Sequence, residues 1–159
     1  MKPKQIIAKI ISGGQTGVDR AAFDFALENK IETGGFVPKN RLAEDGRISE
    51  KYRNLQETAS DNPAERTSQN VKNSDATLIL SHGALCGGSR LTKEFAEKYQ
   101  KPFLHVDFLS STMDEAQEKT RKWLDSISCE NLNIAGSRAS EDAEIYEKTM
   151  EFLTRVFKR

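Results

Sequence analysis

The chain has 159 residues, with 24 basic against 24 acidic side chains and 36% hydrophobic residues. Such a length fits one domain with one core over residues 1–159, and the even charge argues against a nucleic-acid partner, which selects for a basic surface. The stretch Ile6–Ile11 is broken by Lys9 and is too short for a signal peptide or a membrane span, so no membrane partner is expected.

Strand and helix patterns alternate from the start. The run from about Ile6 to Ser12 reads as a buried strand. The glycine turn SGGQTG follows, then a helix from about Thr16 to Lys30 with Val18, Ala22, Phe25 and Ala26 on one face. A short strand, Gly34–Val37, stops at Pro38, which cannot donate to a ladder. From Lys39 to about Asp61 the chain is polar and shows neither period; a connection of that length is expected to be a functional loop or a lid. Asn62 as N-cap, Pro63 in the first turn and Glu65 at the capping-box position open a helix that ends near Ser74.

DATLILSH, 75–82, is a strand with a buried centre, and GALCGG is a second glycine-rich turn. SRLTKEFAEKYQ is a helix with Leu91, Phe95 and Tyr99 in one row, stopped by Pro102. FLHVDF is the next strand. A helix over about Thr112–Ser126 turns Ala116, Thr120, Trp123 and Ile127 inward. NLNIAGS is a last strand, and the final helix, about Glu141–Phe157, packs through Ile145, Thr149, Leu153 and Val156. Phe23, Tyr99 and Phe152 are assigned either to an interface or to the core.

This alternation predicts an α/β fold, with a mostly parallel sheet of about five strands and helices on both faces. Right-handed crossovers place the carboxyl ends of parallel strands on one edge, where ligands bind. Three strands end in small polar turns, SGGQTG, HGALCGGS and AGSRAS, and all three converge on that edge.

Each turn has a chemical and a structural reading. Glycines let backbone N–H groups approach an anion, and a following helix N-terminus adds a favourable dipole. SGGQTG is neither GxGxxG nor a P-loop, which disfavours a standard dinucleotide fingerprint and an ordinary NTPase. Its structural reading is a tight turn with Thr16 as N-cap and Asp19 closing a capping box. CGGSRLTKE repeats the device, with Ser89 as cap. Arg90 and Glu94, one turn apart, form either a weak surface pair or a ligand-facing pair. Arg138 is either solvated or in bidentate contact with a phosphate. In KNRLAEDGR, Lys39 and Arg41 are candidates for phosphate oxygens, and Glu44 and Asp45 for hydroxyls.

His82 and Cys86 lie four apart across a turn without further ligands at telling spacing, so no metal site is expected, and Cys86 reads as a turn residue rather than a nucleophile. His105, inside a strand, reads as structural. Cys86 and Cys129 fit no disulfide framework, from which a reducing, cytoplasmic setting is expected.

SGGQTGVDRAA, PKNRLAEDG, AERTSQNVKNSDATLIL, GGSRLTKEFA and NIAGSRAS occur in this order in the circularly permuted YpsA-like branch of the SLOG superfamily, which the chain resembles over almost its whole length. Members are provisionally labelled molybdenum carrier or molybdenum cofactor carrier proteins. The resemblance implies a Rossmann-like three-layer fold and a site for a nucleotide or nucleotide-like ligand. It also implies a homo-oligomer, with a dimer favoured. The same superfamily contains the lysine-decarboxylase-like LOG enzymes, which hydrolyse the N-glycosidic bond of nucleoside 5′-monophosphates and carry PGGxGTxxE with a catalytic glutamate. In CGGSRLTKE, Gly87, Gly88 and Glu94 match that pattern. Cys86 replaces the proline, Arg90 the glycine and Leu91 the threonine, with Thr92 one position late.

The expected ligand is therefore a small phosphorylated, nucleotide-like molecule, molybdenum cofactor or a nucleotide. Gly13, Gly14, Gln15, Thr16 and Gly17 hold one end; Gly87, Gly88 and Ser89 hold the phosphate, with Arg90 and Thr92 beside them. Arg138, Lys39 and Arg41 supply positive charge. The alternative is a nucleoside 5′-monophosphate N-glycosidase, in which Glu94 stabilises an oxocarbenium-like transition state or activates water and Asp19 is the second acid.

Overall fold

The computed structural model describes residues 7–158. Six strands form one sheet: β1 (Lys9–Ile11), β2 (Glu32–Val37), β5 (Leu55–Glu57), β6 (Ala76–Ser81), β7 (Phe103–Asp107) and β8 (Asn131–Gly136), in the order β5-β2-β1-β8-β6-β7. Every pairing in it is parallel. A separate antiparallel pair, β3 (Leu42–Ala43) and β4 (Gly46–Arg47), forms a small hairpin. Among the described residues there are five α-helices, α1 (Val18–Glu28), α2 (Pro63–Lys72), α3 (Gly87–Lys98), α4 (Met113–Ser126) and α5 (Ile145–Phe157), and a short 3-10 turn at Lys39–Arg41. The architecture is Rossmann-like, with one strand more than the sequence pattern displays. Ile6, the expected start of β1, lies outside the described residues. Among the described residues no helix is long and apolar enough to cross a membrane.

Strand order explains the position of the site. The chain runs outward from β1 through β2 to β5, then crosses to β6 and β7, and returns to insert β8 between β1 and β6. The direction of winding thus reverses at the centre of the sheet, where the carboxyl ends of β1, β8 and β6 lie side by side and leave a crevice.

The two faces of the sheet differ in chemistry. On one, Ile10, Leu78, Leu80, Leu132 and Ile134 pack against Val18, Ala22 and Phe25 of α1 and Phe152 and Leu153 of α5 in one core. Ile145, Thr149, Leu153 and Val156 of α5 and Ala116 and Thr120 of α4 are buried as their spacing requires, and Trp123 and Ile127 pack partly buried against the same core. The opposite face, under α2 and α3, carries Asn133 and Thr77 in register, joined by an Nδ2–Oγ1 hydrogen bond of 3.3 Å. α2 has almost no apolar stripe: its buried residues are Arg66, Asn70 and Val71. Asn70 binds it to β2, accepting from the Phe36 N–H at 2.6 Å and donating to the Phe36 carbonyl at 2.9 Å.

The polar stretch after Pro38 is a folded excursion rather than a bare loop. Ala43, Ile48 and Tyr52 close a second core with Phe23 and Val37, with the Phe23 and Tyr52 rings stacked at 5.4 Å. Phe23 and Phe152 are therefore core residues; Tyr99 is partly exposed and its hydroxyl meets that of Ser68 at 2.6 Å. Asp24 on α1 is a clamp between distant segments: it accepts the hydroxyls of Tyr52 and Tyr146, each at 2.5 Å. Burial, with the Asp24 carboxylate, pushes both phenols above their ordinary value. Asp24→Ala strands two hydroxyls and is expected to cost about 2 kcal/mol in urea unfolding; an unchanged midpoint refutes the clamp.

Helix starts depart from the sequence reading in four places, one being α5, which begins at Ile145 rather than about Glu141. α1 is capped by Gly17, not Thr16, and α3 by Cys86, not Ser89. Asn62 caps α2 as expected, accepting from Ala64 N–H at 3.0 Å, but its own N–H donates to Ser60 Oγ instead of to Glu65.

Candidate functional site

The crevice at the reversal point opens into a cleft. Gly13 and Gln15 line it from the end of β1, and Asn133, Ala135 and Gly136 from β8. Gly88, Ser89 and Thr92 line it from α3, Arg66 and Asn70 from α2, and Asp19 from α1, with Arg138 and Glu141 at the rim. The three polar turns of the sequence do converge here.

An ion pair that the sequence reading missed forms the floor. Arg66 Nη1 donates to Asp19 Oδ2 at 3.0 Å, with only 8% of Arg66 and 4% of Asp19 exposed. Gly13 makes room for it, because a Cβ there would stand 1.7 Å from that nitrogen. Burial pushes the Asp19 carboxyl above its ordinary 3.8, while Arg66 and the Gln15 N–H, at 3.3 Å, pull the other way. Arg66 Nε is buried without any partner. A buried donor left unpaired costs on the order of 1–3 kcal/mol, so a polar partner for Nε would be stabilising at this lining residue. Across from it, the first amides of α3, Gly87 and Gly88, have no intrahelical acceptors, as at any helix start. Gly88 has nothing within 4 Å of the place a Cβ would take.

The other predicted residues divide into three groups. Gln15, Thr16, Gly14 and Gly17 are engaged within the protein. Gln15 Oε1 accepts from the amides of Thr16, at 3.0 Å, and Glu44, at 2.9 Å. Thr16 Oγ1 accepts from Ala139 N–H at 3.0 Å and meets Glu44. The Gly14 carbonyl takes Arg20 Nη2 at 3.1 Å. Gly17 lies under the Ser137 carbonyl, which accepts from Val18 N–H at 3.1 Å. Ser89 and Thr92 line the cleft, but their hydroxyls donate within α3, to Cys86 O and Gly88 O, each at 2.8 Å.

Lys39, Arg41, Arg90 and Glu94 are not brought into the cleft. Lys39 is exposed on the excursion. Arg41 is buried there, donating to the carbonyls of Ile48, Ser49 and Tyr52 at 3.0, 2.7 and 3.1 Å, so it folds the segment. Arg90 and Glu94 form the surface pair, 3.5 Å apart with side chains 72% and 58% exposed. Arg138 does reach the rim, where its guanidinium makes only loose pairs, 3.9 Å to Glu44 and 3.6 Å to Glu141. Asp45 holds Arg20 through two hydrogen bonds of 2.9 and 3.0 Å.

No nucleophile emerges from the cysteine and histidine side chains. His82 Nδ1 pairs with Asp142 at 2.5 Å, and the Cys86 thiol donates to Glu141 at 3.2 Å. That carboxylate holds the Cys86 thiol above its ordinary value, which suppresses the thiolate. His105 Nε2 meets Ser81 Oγ at 2.7 Å, and Ser81 spends its own proton on Gly83 O. Neither cysteine is in a disulfide; Cys86 is exposed and Cys129 buried. Among the described residues no group of three His, Cys, Asp or Glu side chains is placed to hold a metal ion.

A signal for Arg66 was present in the sequence: PAERTSQNVK is strongly capped yet, after Pro63 and Ala64, has only polar residues before Val71.

Comparison with known proteins agrees with this fold. A crystal structure from Syntrophus aciditrophicus SB, provisionally named a molybdenum carrier protein, is 51% identical. It superposes with a TM-score of 0.95 over 98% of each chain. No curated protein matches the sequence. The model of the circularly permutated YpsA SLOG family matches residues 10–157. The chain belongs to that family.

Proposed function

We propose that the cleft binds a small phosphorylated, nucleotide-like ligand, and that the protein carries or senses it rather than transforming it. One observation carries this reading: the buried Arg66, lying over Gly13 with its Nε unpartnered. A phosphate oxygen placed there would complete the guanidinium fork, with the α3 amides of Gly87 and Gly88 donating from the other side. Asn133 and Asn70 line the same cleft and make its wall polar. The name of the Syntrophus relative fits the same chemistry, with the metal entering as part of an anionic ligand. The donor set here is guanidinium and amide, which suits the phosphate of a molybdenum cofactor. Glu94 stands outside the cleft on α3, which leaves a glycosidase without its carboxylate.

The test is calorimetric titration of the purified protein with a panel of nucleoside 5′-monophosphates and pterin phosphates, with chromatography for released base. Binding of at least one phosphorylated compound, weakened about tenfold or more in Arg66→Gln, is the expected result. Binding insensitive to Arg66, or release of free base that vanishes in Glu94→Gln, removes the reading.

A further inference from the structure

Beside the cleft, one carboxylate is held in the manner of a bound anion. Glu44 sits in the turn between β3 and β4. Its Oε1 accepts the Ser140 N–H at 3.1 Å and the Thr16 hydroxyl, and its Oε2 accepts the Ser140 hydroxyl at 2.6 Å. All three donors belong to turns that follow β1 and β8, the strands that build the cleft. Only the acceptor comes from the excursion.

Burial disfavours the charged form of Glu44, yet the bonds from Ser140 and Thr16 outweigh it and hold the carboxyl below its ordinary 4.5. Arg138, which also lines the cleft, stands 3.9 Å from Oε2 and makes no hydrogen bond through its guanidinium among the described residues. Arg138 thus serves both carboxylates by charge at a distance, and its donor fork is not committed to a hydrogen bond with either.

The excursion does not depend on Glu44 for its shape. Arg41 ties its backbone together, Arg20 grips Asp45, and Ile48 and Tyr52 fill the second core. Glu44 is an exposed residue, and none of these contacts runs through its side chain.

We propose that Thr16, Arg138 and Ser140 form a second anion subsite at the rim of the cleft. Glu44 fills it in the free protein, and a second anionic group of the ligand takes it by displacing Glu44. The ligand class is then a diphosphate or a similarly double anion, with one group on Arg66 and the other at the rim. The proposal draws on the cleft reading for the first group alone. Glu44 acts as a tethered competitor: it lowers the fraction of molecules ready to bind and so weakens the apparent affinity. Glu141, 3.6 Å from Arg138 Nε, is the remaining acid facing that guanidinium, and its Oε1 also accepts the Arg138 N–H at 3.2 Å, so it stays in place.

The experiment is calorimetric titration with inorganic pyrophosphate and inorganic phosphate. Glu44→Gln is expected to bind pyrophosphate about tenfold more tightly than the unmodified protein, with a smaller change for phosphate. Adding Arg138→Gln removes that gain. Equal or weaker pyrophosphate binding by Glu44→Gln, or no heat from either protein at millimolar pyrophosphate, overturns the proposal. Arg66→Gln separates the two readings. A Glu44→Gln gain that persists while Arg66→Gln changes nothing leaves the rim subsite standing and the cleft reading refuted. Affinity lost in Arg66→Gln with no gain from Glu44→Gln is the reverse.

Discussion

Replacing Arg66 by alanine is expected to remove about 3–5 kcal/mol of stability at neutral pH, because it leaves Asp19 ionised, buried and without its counter-charge. The two groups meet at 3.0 Å with 8% and 4% of their surfaces exposed, so solvent cannot replace the missing partner. Asp19 then retains only neutral donors, the Gln15 amide at 3.3 Å and the Ser12 hydroxyl. The loss has a pH signature that a simple packing defect lacks. Burial already raises the Asp19 carboxyl above 3.8, and Arg66 opposes that rise. Removing Arg66 lifts the folded-state value further. An acid whose folded value lies above its unfolded one is penalised once the pH exceeds both. The variant's deficit is therefore complete above the folded value and shrinks as pH falls through 3.8, well below which Asp19 is protonated in both states. Urea unfolding at a series of pH values measures this, and adding Asp19→Asn to the variant should recover part of the loss. A deficit that stays constant down to the acid limit refutes the account.

The same pair shows where sequence reading stops. Strands such as β6, with six buried residues in a row, and helices with clear faces such as α5 were legible because their periods are local. β5 was not: it is three residues long, mostly exposed, and joins the sheet through backbone pairing with β2 rather than through an apolar pattern. The second core was hidden for a related reason. Ala43, Ile48 and Tyr52 follow no period, and their shared partner Phe23 lies on another element. Arg66 and Asp19 are separated by 47 positions, so no spacing rule joins them.

The glycines were legible as positions of close approach, but what approaches them differs from the expectation. Gly13 admits a side chain of the protein itself, and Gly17 admits the turn after β8. Gly88 alone among the three is open on its free side. Part of what reads as a ligand loop in the sequence is therefore the packing of one turn on another. That packing brings the Gln15 backbone, Arg66 and the rim into one place.

Gly17 is where this packing is least tolerant, and Gly17→Ala should be among the most damaging single substitutions in the chain. Its φ of 80° and ψ of −127° lie where a residue with a Cβ is strained on its own account. In addition, the new Cβ would stand 2.3 Å from the Ser137 carbonyl oxygen and 2.9 Å from Arg138 Cα, both backbone atoms that no side-chain rotation can move. Relief requires the first turn of α1 to separate from the turn after β8. That breaks the Val18 N–H to Ser137 O bond and shifts Arg138, Ala139 and Ser140 together. Strain and steric displacement add, and a cost on the order of 4 kcal/mol is expected, a large fraction of the stability of a typical domain. A variant that still folds should lose its anion binding as well, since the α1 start and the rim supply the donors around Glu44 and hold Asp19 beneath Arg66. Gly88→Ala is the matched control: it meets nothing within 4 Å and has no positive φ, so its unfolding midpoint should move little. Equal unfolding midpoints for the two variants would show that the turn after β8 yields freely, and that Gly17 does not fix the geometry of the site.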